Sequence, residues 1–200
     1  MLRELAQDLV DLIFDWSYLG IFLLMTVESS FIPFPSEIVL IPAGYLASQG
    51  ELRFDMIMLS ALGGSMLGAL INYYLALTLG RKILSKYGKY FFIKEDALKK
   101  MDSYFEKHGH ISTFIGRLIP GIRQLISIPA GLSRMNLAVF STYTALGAGL
   151  WALILVMLGY FIGENQELIN MYLKQITIGV LLTLLLLASW YYYVQKRKKV

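Results

Sequence analysis

The sequence of 200 residues contains no cysteine and only two histidines. Without cysteine the chain has no disulfide bonds, no thiolate metal site and no cysteine nucleophile, and His108 and His110 cannot form a metal site alone. We therefore expect no metal, no cofactor and no enzymatic activity. Charged residues are also few, at 16% of the chain, compared with about 25% in soluble domains.

Hydrophobic residues are abundant instead. They make up 56% of the chain, and the mean hydropathy is +0.58. A helix needs about 20 residues to cross the hydrocarbon of a bilayer, and three uncharged segments are at least that long, at 56–80, 135–163 and 175–195. The composition predicts an all-α polytopic membrane protein.

The positive charge is unevenly distributed along the chain. Although the formal net charge is +4, twelve of the 18 Lys and Arg residues fall in two clusters, 81–107 and 196–199, beside apolar segments. Such clusters are typical of the cytoplasmic face of a membrane protein. They indicate a bilayer, not a nucleic acid, as the partner.

All five prolines lie in two short segments that resemble each other. The segments IPFPSEIVLIPAG (32–44) and IPGIRQLISIPAG (119–131) repeat at an offset of 87 residues. Each is preceded by an amphipathic helix pattern and followed by a long uncharged segment. The sequence therefore predicts two repeats, each with a surface helix, a proline-broken hairpin and a spanning helix.

The predicted boundaries follow from these patterns. The first repeat, 1–80, has a surface helix at 1–16, a hairpin at 17–50 and a spanning helix at 56–80. The second repeat, 81–163, has the same elements at 94–108, 111–133 and 136–162. The remaining segment, 164–200, is predicted to be a C-terminal spanning helix with a basic cytoplasmic tail.

The number of crossings between the basic clusters predicts the topology. If both clusters are cytoplasmic, the spans at 136–162 and 175–195 already make an even number, so 111–133 must enter the membrane and return. Bent backbone at membrane depth is tolerated when protein shelters it. The N-terminus is then outside, the C-terminus is cytoplasmic and the repeats are inverted, as in many transporters. The alternative is that each broken segment is an ordinary spanning helix.

Four charged residues fall within the predicted hairpins: Glu28 and Glu37 in the first, Arg117 and Arg123 in the second. Intramembrane charges are costly and often functional. The planar guanidinium of Arg suits a phosphate headgroup. Burial favours the protonated form of a carboxyl group and a nearby Arg favours the ionised form, so we expect both glutamates to exchange protons as the arginines are occupied and vacated. The alternative is two purely structural ion pairs.

At these residues the chain resembles the DedA family, whose domain is also called the VTT or SNARE-associated domain. The matching motifs are Glu28-Ser29 with Pro33-Phe34-Pro35-Ser36-Glu37, and Gly116-Arg117-Leu118-Ile119-Pro120 with Arg123, Ala130-Gly131 and Met135. The resemblance implies a bacterial inner-membrane protein in which Glu28 and Glu37 have a proton-dependent role and Arg117 and Arg123 are essential. It also assigns Pro33, Pro35, Gly116, Pro120 and Gly131 to the hairpin motifs.

These observations together predict a proton-coupled lipid-phosphate translocase. By the resemblance, the favoured substrate is undecaprenyl phosphate, flipped across the bacterial inner membrane for carrier recycling. One alternative is a flippase or scramblase of phospholipids such as phosphatidylethanolamine. Another is a proton or cation antiporter, which leaves the arginines without a role. The small residues Gly64, Ser65 and Gly68 on one face of the first span favour close helix packing within the chain over a dimer interface. An oligomer remains possible.

Overall fold

The structure is a computed structural model that describes residues 16–30, 35–80, 95–119 and 121–162, with eight single positions between 168 and 186. For residues 95–102 it describes only the backbone. The predicted features that lie outside the described residues are the surface helix at 1–16 except Trp16, the prolines at 33 and 120, positions 81–94 of the first basic cluster, most of the C-terminal span at 175–195, and the basic cluster at 196–199. The chain forms two compact units, Met1–Glu164 and Asn165–Val200, and the second is helical at all eight described positions.

Six helices make up the first unit as described. Their bounds are α1 Trp16–Glu28, α2 Glu37–Ser48, α3 Phe54–Leu75, α4 Glu95–Leu118, α5 Ser127–Leu132 and α6 Leu137–Ile162. A π-helical turn, Ala76–Gly80, extends α3. No described residue is in a β-strand, so this part of the chain confirms the predicted all-helical class.

Two helices are long and apolar enough to cross a membrane, Phe54–Gly80 with 27 residues and Leu137–Ile162 with 26. Large apolar side chains on both remain exposed, including Leu59 at 62% and Phe161 at 71%. Exposed apolar surface of this extent is typical of contact with lipid. In contrast, the 12 residues of α2 reach only about 18 Å at 1.5 Å per residue, short of the ~30 Å hydrocarbon layer.

Glycines let α1 lie directly against α3. A Cβ atom at Gly64 would collide with the carbonyl oxygen of Phe22, and one at Gly68 would collide with that of Thr26. The backbones therefore approach more closely than any larger residue permits. The small-residue face of the first span is used for packing within the chain, as the sequence predicts.

Close glycine contacts also join the two sequence repeats. Gly44 of α2 abuts the carbonyl oxygen of Val156 on α6, and Gly159 of α6 abuts that of Ile41 on α2. Gly131 of α5, which is 87 residues after Gly44, abuts the carbonyl oxygen of Tyr73 on α3. The short helix after each break therefore packs against the long helix of the other repeat. Helix α6 occupies the centre and contacts α2, α3 and α4.

One boundary differs from the predicted one. The sequence predicts a surface helix at 94–108 and a separate hairpin from 111, but α4 continues without a break from Glu95 to Leu118. Gly109 does not reverse the chain. A Cβ atom there would lie 3.1 Å from Met135 Sδ and 3.3 Å from the Phe105 ring, so this glycine serves side-chain packing within a continuous helix.

Two of the prolines lie inside helices, although the sequence predicts that the prolines break the helical segments. Pro42 lies inside α2, and Pro129 is the third residue of α5, where a missing N–H is tolerated in the first turn. The breaks themselves lie between Glu28 and Glu37 and between Leu118 and Ser127. In the second break Gly121 adopts φ +81°, a conformation that glycine reaches without steric cost.

Candidate functional site

The two helix breaks bring the predicted charges together. Glu28 is the last residue of α1 and Glu37 is the first residue of α2, so the carboxylates lie on either side of the first break. Arg117 is in the last turn of α4, and Arg123 lies in the second break. The structure therefore assembles three of the four charges into one ion-pair cluster and places the fourth beside it.

Arg123 holds the cluster together. Its Nε atom lies 3.0 Å from Glu28 Oε1, and its Nη2 atom lies 3.7 Å from Glu37 Oε1. Glu28 is 3% exposed and Arg123 is 7% exposed, whereas 27% of the Glu37 side chain is exposed. The pair with Glu28 is thus buried and close, and the pair with Glu37 is longer and partly open.

Neighbouring side chains fix the members of this cluster. Ser29 Oγ donates a hydrogen bond to Glu28 Oε2 at 2.8 Å. The guanidinium carbon of Arg123 lies 5.5 Å from the centre of the Trp151 ring, within the range of a cation–π interaction. These contacts hold the carboxylate and the guanidinium in place.

Arg117 is buried and forms no ion pair with a described carboxylate. It is 3% exposed, and its Nη2 atom donates a hydrogen bond to Ser127 Oγ at 2.7 Å. Within the described residues it forms no salt bridge of 4.0 Å or less. A buried guanidinium whose described hydrogen-bond partner is a neutral hydroxyl is an electrostatic site for an anion.

A small cavity lies where these side chains meet. Its volume is about 20 Å³, and Glu28, Arg117, Arg123 and Trp151 are among the lining residues. This volume is enough for one water molecule. The space between the charges is therefore small in this structure.

Asn72 is a site residue that the sequence analysis does not identify. It lies on α3 and is fully buried, and its Nδ2 atom donates to the carbonyl oxygens of Ser29 at 3.2 Å and Gln124 at 3.3 Å. These carbonyls belong to the first and the second break. One amide therefore connects both breaks, and its only sequence signal is that it is a polar residue within a long uncharged segment.

The described hairpin motif residues, Pro35, Gly116 and Gly131, support the site through backbone and packing contacts. Pro35 precedes the start of α2, and its carbonyl oxygen accepts a hydrogen bond from Ile38 N at 3.2 Å. Gly116 lies in α4, where a Cβ atom would come within 2.7 Å of the Ile126 side chain. Gly131 makes the contact with α3 described above. The glycines thus permit close packing around Arg117 and Arg123.

Comparison with known proteins identifies the family. The VTT domain matches residues 34–161, a range that includes Glu37, Arg117 and Arg123. The chain belongs to the VTT domain family. This is the family that the motifs at the two breaks predict.

Several bacterial relatives of this VTT domain protein span nearly its full length. The uncharacterized membrane protein YkoX of Bacillus subtilis is 39% identical over 198 residues, covering 99% of this chain and 88% of that protein. An alkaline phosphatase-like protein of Lactococcus lactis is 34% identical over 200 residues, covering 96% and 94%. Undecaprenyl phosphate transporter A of B. subtilis is 29% identical over 194 residues, covering 97% and 96%. No solved structure gives a significant match.

Family membership and the two long apolar helices identify the chain as a membrane protein of a family with named transporters. The relatives named as transporters are consistent with the expectation of a non-enzymatic protein. The name of the Lactococcus relative refers to a phosphatase. Among the described residues, no three His, Asp or Glu side chains are grouped as metal ligands.

Proposed function

We propose that this VTT domain protein is a proton-coupled translocase of lipid phosphates, with undecaprenyl phosphate as the substrate, in the bacterial inner membrane. The observation that carries the proposal is Arg117, a buried guanidinium with no salt bridge to any described carboxylate. A phosphate monoester supplies the missing negative charge, and its oxygens match the donor geometry of Arg. The relatives named as undecaprenyl phosphate transporters support the choice of lipid.

The proposed exchange begins with the ion pair between Glu28 and Arg123. When a lipid phosphate reaches Arg117 and Arg123, it competes with the Glu28 carboxylate for the second guanidinium. A carboxylate that loses its counter-ion in a low-dielectric site takes up a proton. Release of the phosphate returns Arg123 to Glu28, and the proton leaves.

Glu37 is the proposed route for that proton. It is the more exposed of the two carboxylates, and it pairs with the guanidinium of Arg123, as Glu28 does. Proton exchange between the buried site and water requires a group that contacts both. Glu37 meets this condition in the present arrangement, and Glu28 does not.

The architecture that we propose is two inverted repeats with re-entrant hairpins, an external N-terminus and a cytoplasmic C-terminus. Two observations support it: α2 is too short to cross a bilayer, and Gly44 and Gly131 make equivalent contacts with the long helices of the opposite repeats. Inverted repeats commonly place their substrate site where the broken helices meet. The cluster around Arg123 is located at that meeting point.

The experiment uses purified full-length protein in liposomes that contain undecaprenyl phosphate. An external phosphatase hydrolyses only the lipid in the outer leaflet, so transport appears as a change in the accessible pool, and a pH gradient should set its direction. Arg117→Gln should abolish this movement. Arg53→Gln should not, because Arg53 is exposed and pairs with Asp55 outside the site.

Two results would contradict the proposal. One is unchanged movement of undecaprenyl phosphate in the Arg117→Gln protein. The other is movement of phosphatidylethanolamine, detected with a membrane-impermeant amine reagent, in liposomes where undecaprenyl phosphate does not move. The second result would replace the substrate with a phospholipid.

A further inference from the structure

The residues that line the cavity beside Glu28 carry hydrogen-bond donors for which the structure describes no acceptor. Apart from Arg123 Nε, which lies 3.0 Å from Glu28 Oε1, four buried side-chain atoms on these residues have no hydrogen-bond partner among the described residues: Ser36 Oγ, Arg117 Nε, Arg123 Nη1 and Trp151 Nε1. All four residues are nine-tenths buried or more. Most buried polar groups in proteins have partners, so four unpartnered donors around one cavity require an explanation.

A water molecule does not explain them. The cavity of about 20 Å³ has room for one water, and a water molecule accepts at most two hydrogen bonds. Two donors would remain without an acceptor. Satisfying all four donors therefore requires several acceptor atoms, which one ligand with several oxygen atoms can supply.

We infer that Ser36 and Trp151 are ligands of the anion, in addition to the two arginines. This inference rests on the proposed function and extends it to two neutral donors. A phosphate monoester has three terminal oxygens with several lone pairs, which is enough for the hydroxyl, the indole N–H and both guanidiniums. The chemical class of the ligand is an organic phosphate monoester that enters when the Glu28 carboxylate withdraws.

The four donors come from separate parts of the fold. Ser36 is the residue before α2, and its hydroxyl does not cap that helix. Trp151 lies on α6, whereas Arg117 lies at the end of α4 and Arg123 in the second break. The anion would consequently connect both breaks to the central helix, which couples its binding to the arrangement of the helices.

Trp151 has two separable contacts. Its ring faces the Arg123 guanidinium, and its indole N–H is a donor without a partner. Phenylalanine retains an aromatic ring for the guanidinium and removes the N–H. Trp151→Phe therefore tests the donor alone.

The test measures binding of farnesyl phosphate to the purified full-length protein, with farnesol as the uncharged control. Ser36→Ala and Trp151→Phe should each weaken farnesyl phosphate binding about 10-fold to 100-fold, the range for a hydrogen bond to a charged group. Neither variant should change farnesol binding, because the alcohol lacks the anionic oxygens.

Two matched variants control for the substitutions. Thr144→Val removes another fully buried hydroxyl without a partner, but Thr144 does not line the cavity. Trp16→Phe changes a tryptophan that is 53% exposed. Both control variants should bind farnesyl phosphate like the wild type.

A spectroscopic measurement keeps the inference testable if Trp151→Phe does not fold. In a protein that retains Trp151 but carries Trp16→Phe and Trp190→Phe, farnesyl phosphate should shift the indole N–H-sensitive Raman band toward its hydrogen-bonded position. Wild-type affinity in Ser36→Ala, or an unshifted band in the saturated protein, would overturn the inference and leave the proposed function intact. If the wild type does not bind farnesyl phosphate, the proposed function fails as well.

Discussion

The two glutamates should respond differently to neutralisation, because the structure places them in different environments. Glu28→Gln preserves the shape of the side chain but leaves two buried guanidiniums with a single, partly exposed carboxylate. Removing one partner of a buried ion pair lowers the free energy of unfolding by about 3 to 5 kcal/mol. Glu37 lies 3.7 Å from Arg123 with 27% of its side chain exposed, so Glu37→Gln should cost less than about 1 kcal/mol.

The assay compares unfolding in detergent with gradient-driven flux in liposomes for both variants. Glu37→Gln should remain stable and lose its response to a pH gradient, which makes it the cleaner test of proton coupling. Glu51→Gln, at an exposed position after α2, should change neither quantity. Equal destabilisation by Glu28→Gln and Glu37→Gln would refute the reasoning from burial, and a normal gradient response in Glu37→Gln would refute its role in coupling.

Three further predictions follow from the packing, the arginine chemistry and the topology. Gly44→Ala should lower the free energy of unfolding by about 1 to 3 kcal/mol, which is the cost of overpacking. Gly149→Ala should be tolerated in the same unfolding assay, because its Cβ would lie 3.8 Å from Leu62. Arg123→Lys keeps the positive charge but removes the planar guanidinium, so lipid-phosphate binding measured by titration should weaken by about 1.5 to 3 kcal/mol. Binding as tight as in the wild type would mean that the charge alone is sufficient. Single cysteines should react with a membrane-impermeant reagent from outside at positions 7, 50 and 166, and only from inside at positions 89, 133 and 198. External labelling at 133 would contradict the re-entrant second hairpin.

The sequence predicts the helical class and the charged residues because both depend on local features. Long uncharged segments specify helices that bury their backbone hydrogen bonds, and most of α3 and all of α6 lie in them. Charges in the predicted membrane hairpins require partners. The approach of Arg123 to Glu28 follows that requirement.

The sequence does not predict the pairing pattern or the site contacts that depend on distant packing. Arg123 forms ion pairs with both carboxylates, whereas Arg117 forms none with a described carboxylate. This difference depends on the exact path of the second break. Asn72 reaches carbonyl oxygens that are 43 and 52 positions away in the chain. The close packing of Met135 against Gly109 in α4 likewise forms only in the folded chain.

Native mass spectrometry of the protein purified with its lipids tests the central claim most directly. The account predicts a co-purified polyprenyl phosphate on the wild-type protein and on Arg53→Gln, and its loss from Arg117→Gln. The exposed control carries the same change of charge, so the difference isolates the buried site. A lipid phosphate retained equally by Arg117→Gln, or a wild-type protein that carries only phosphatidylethanolamine, would contradict it.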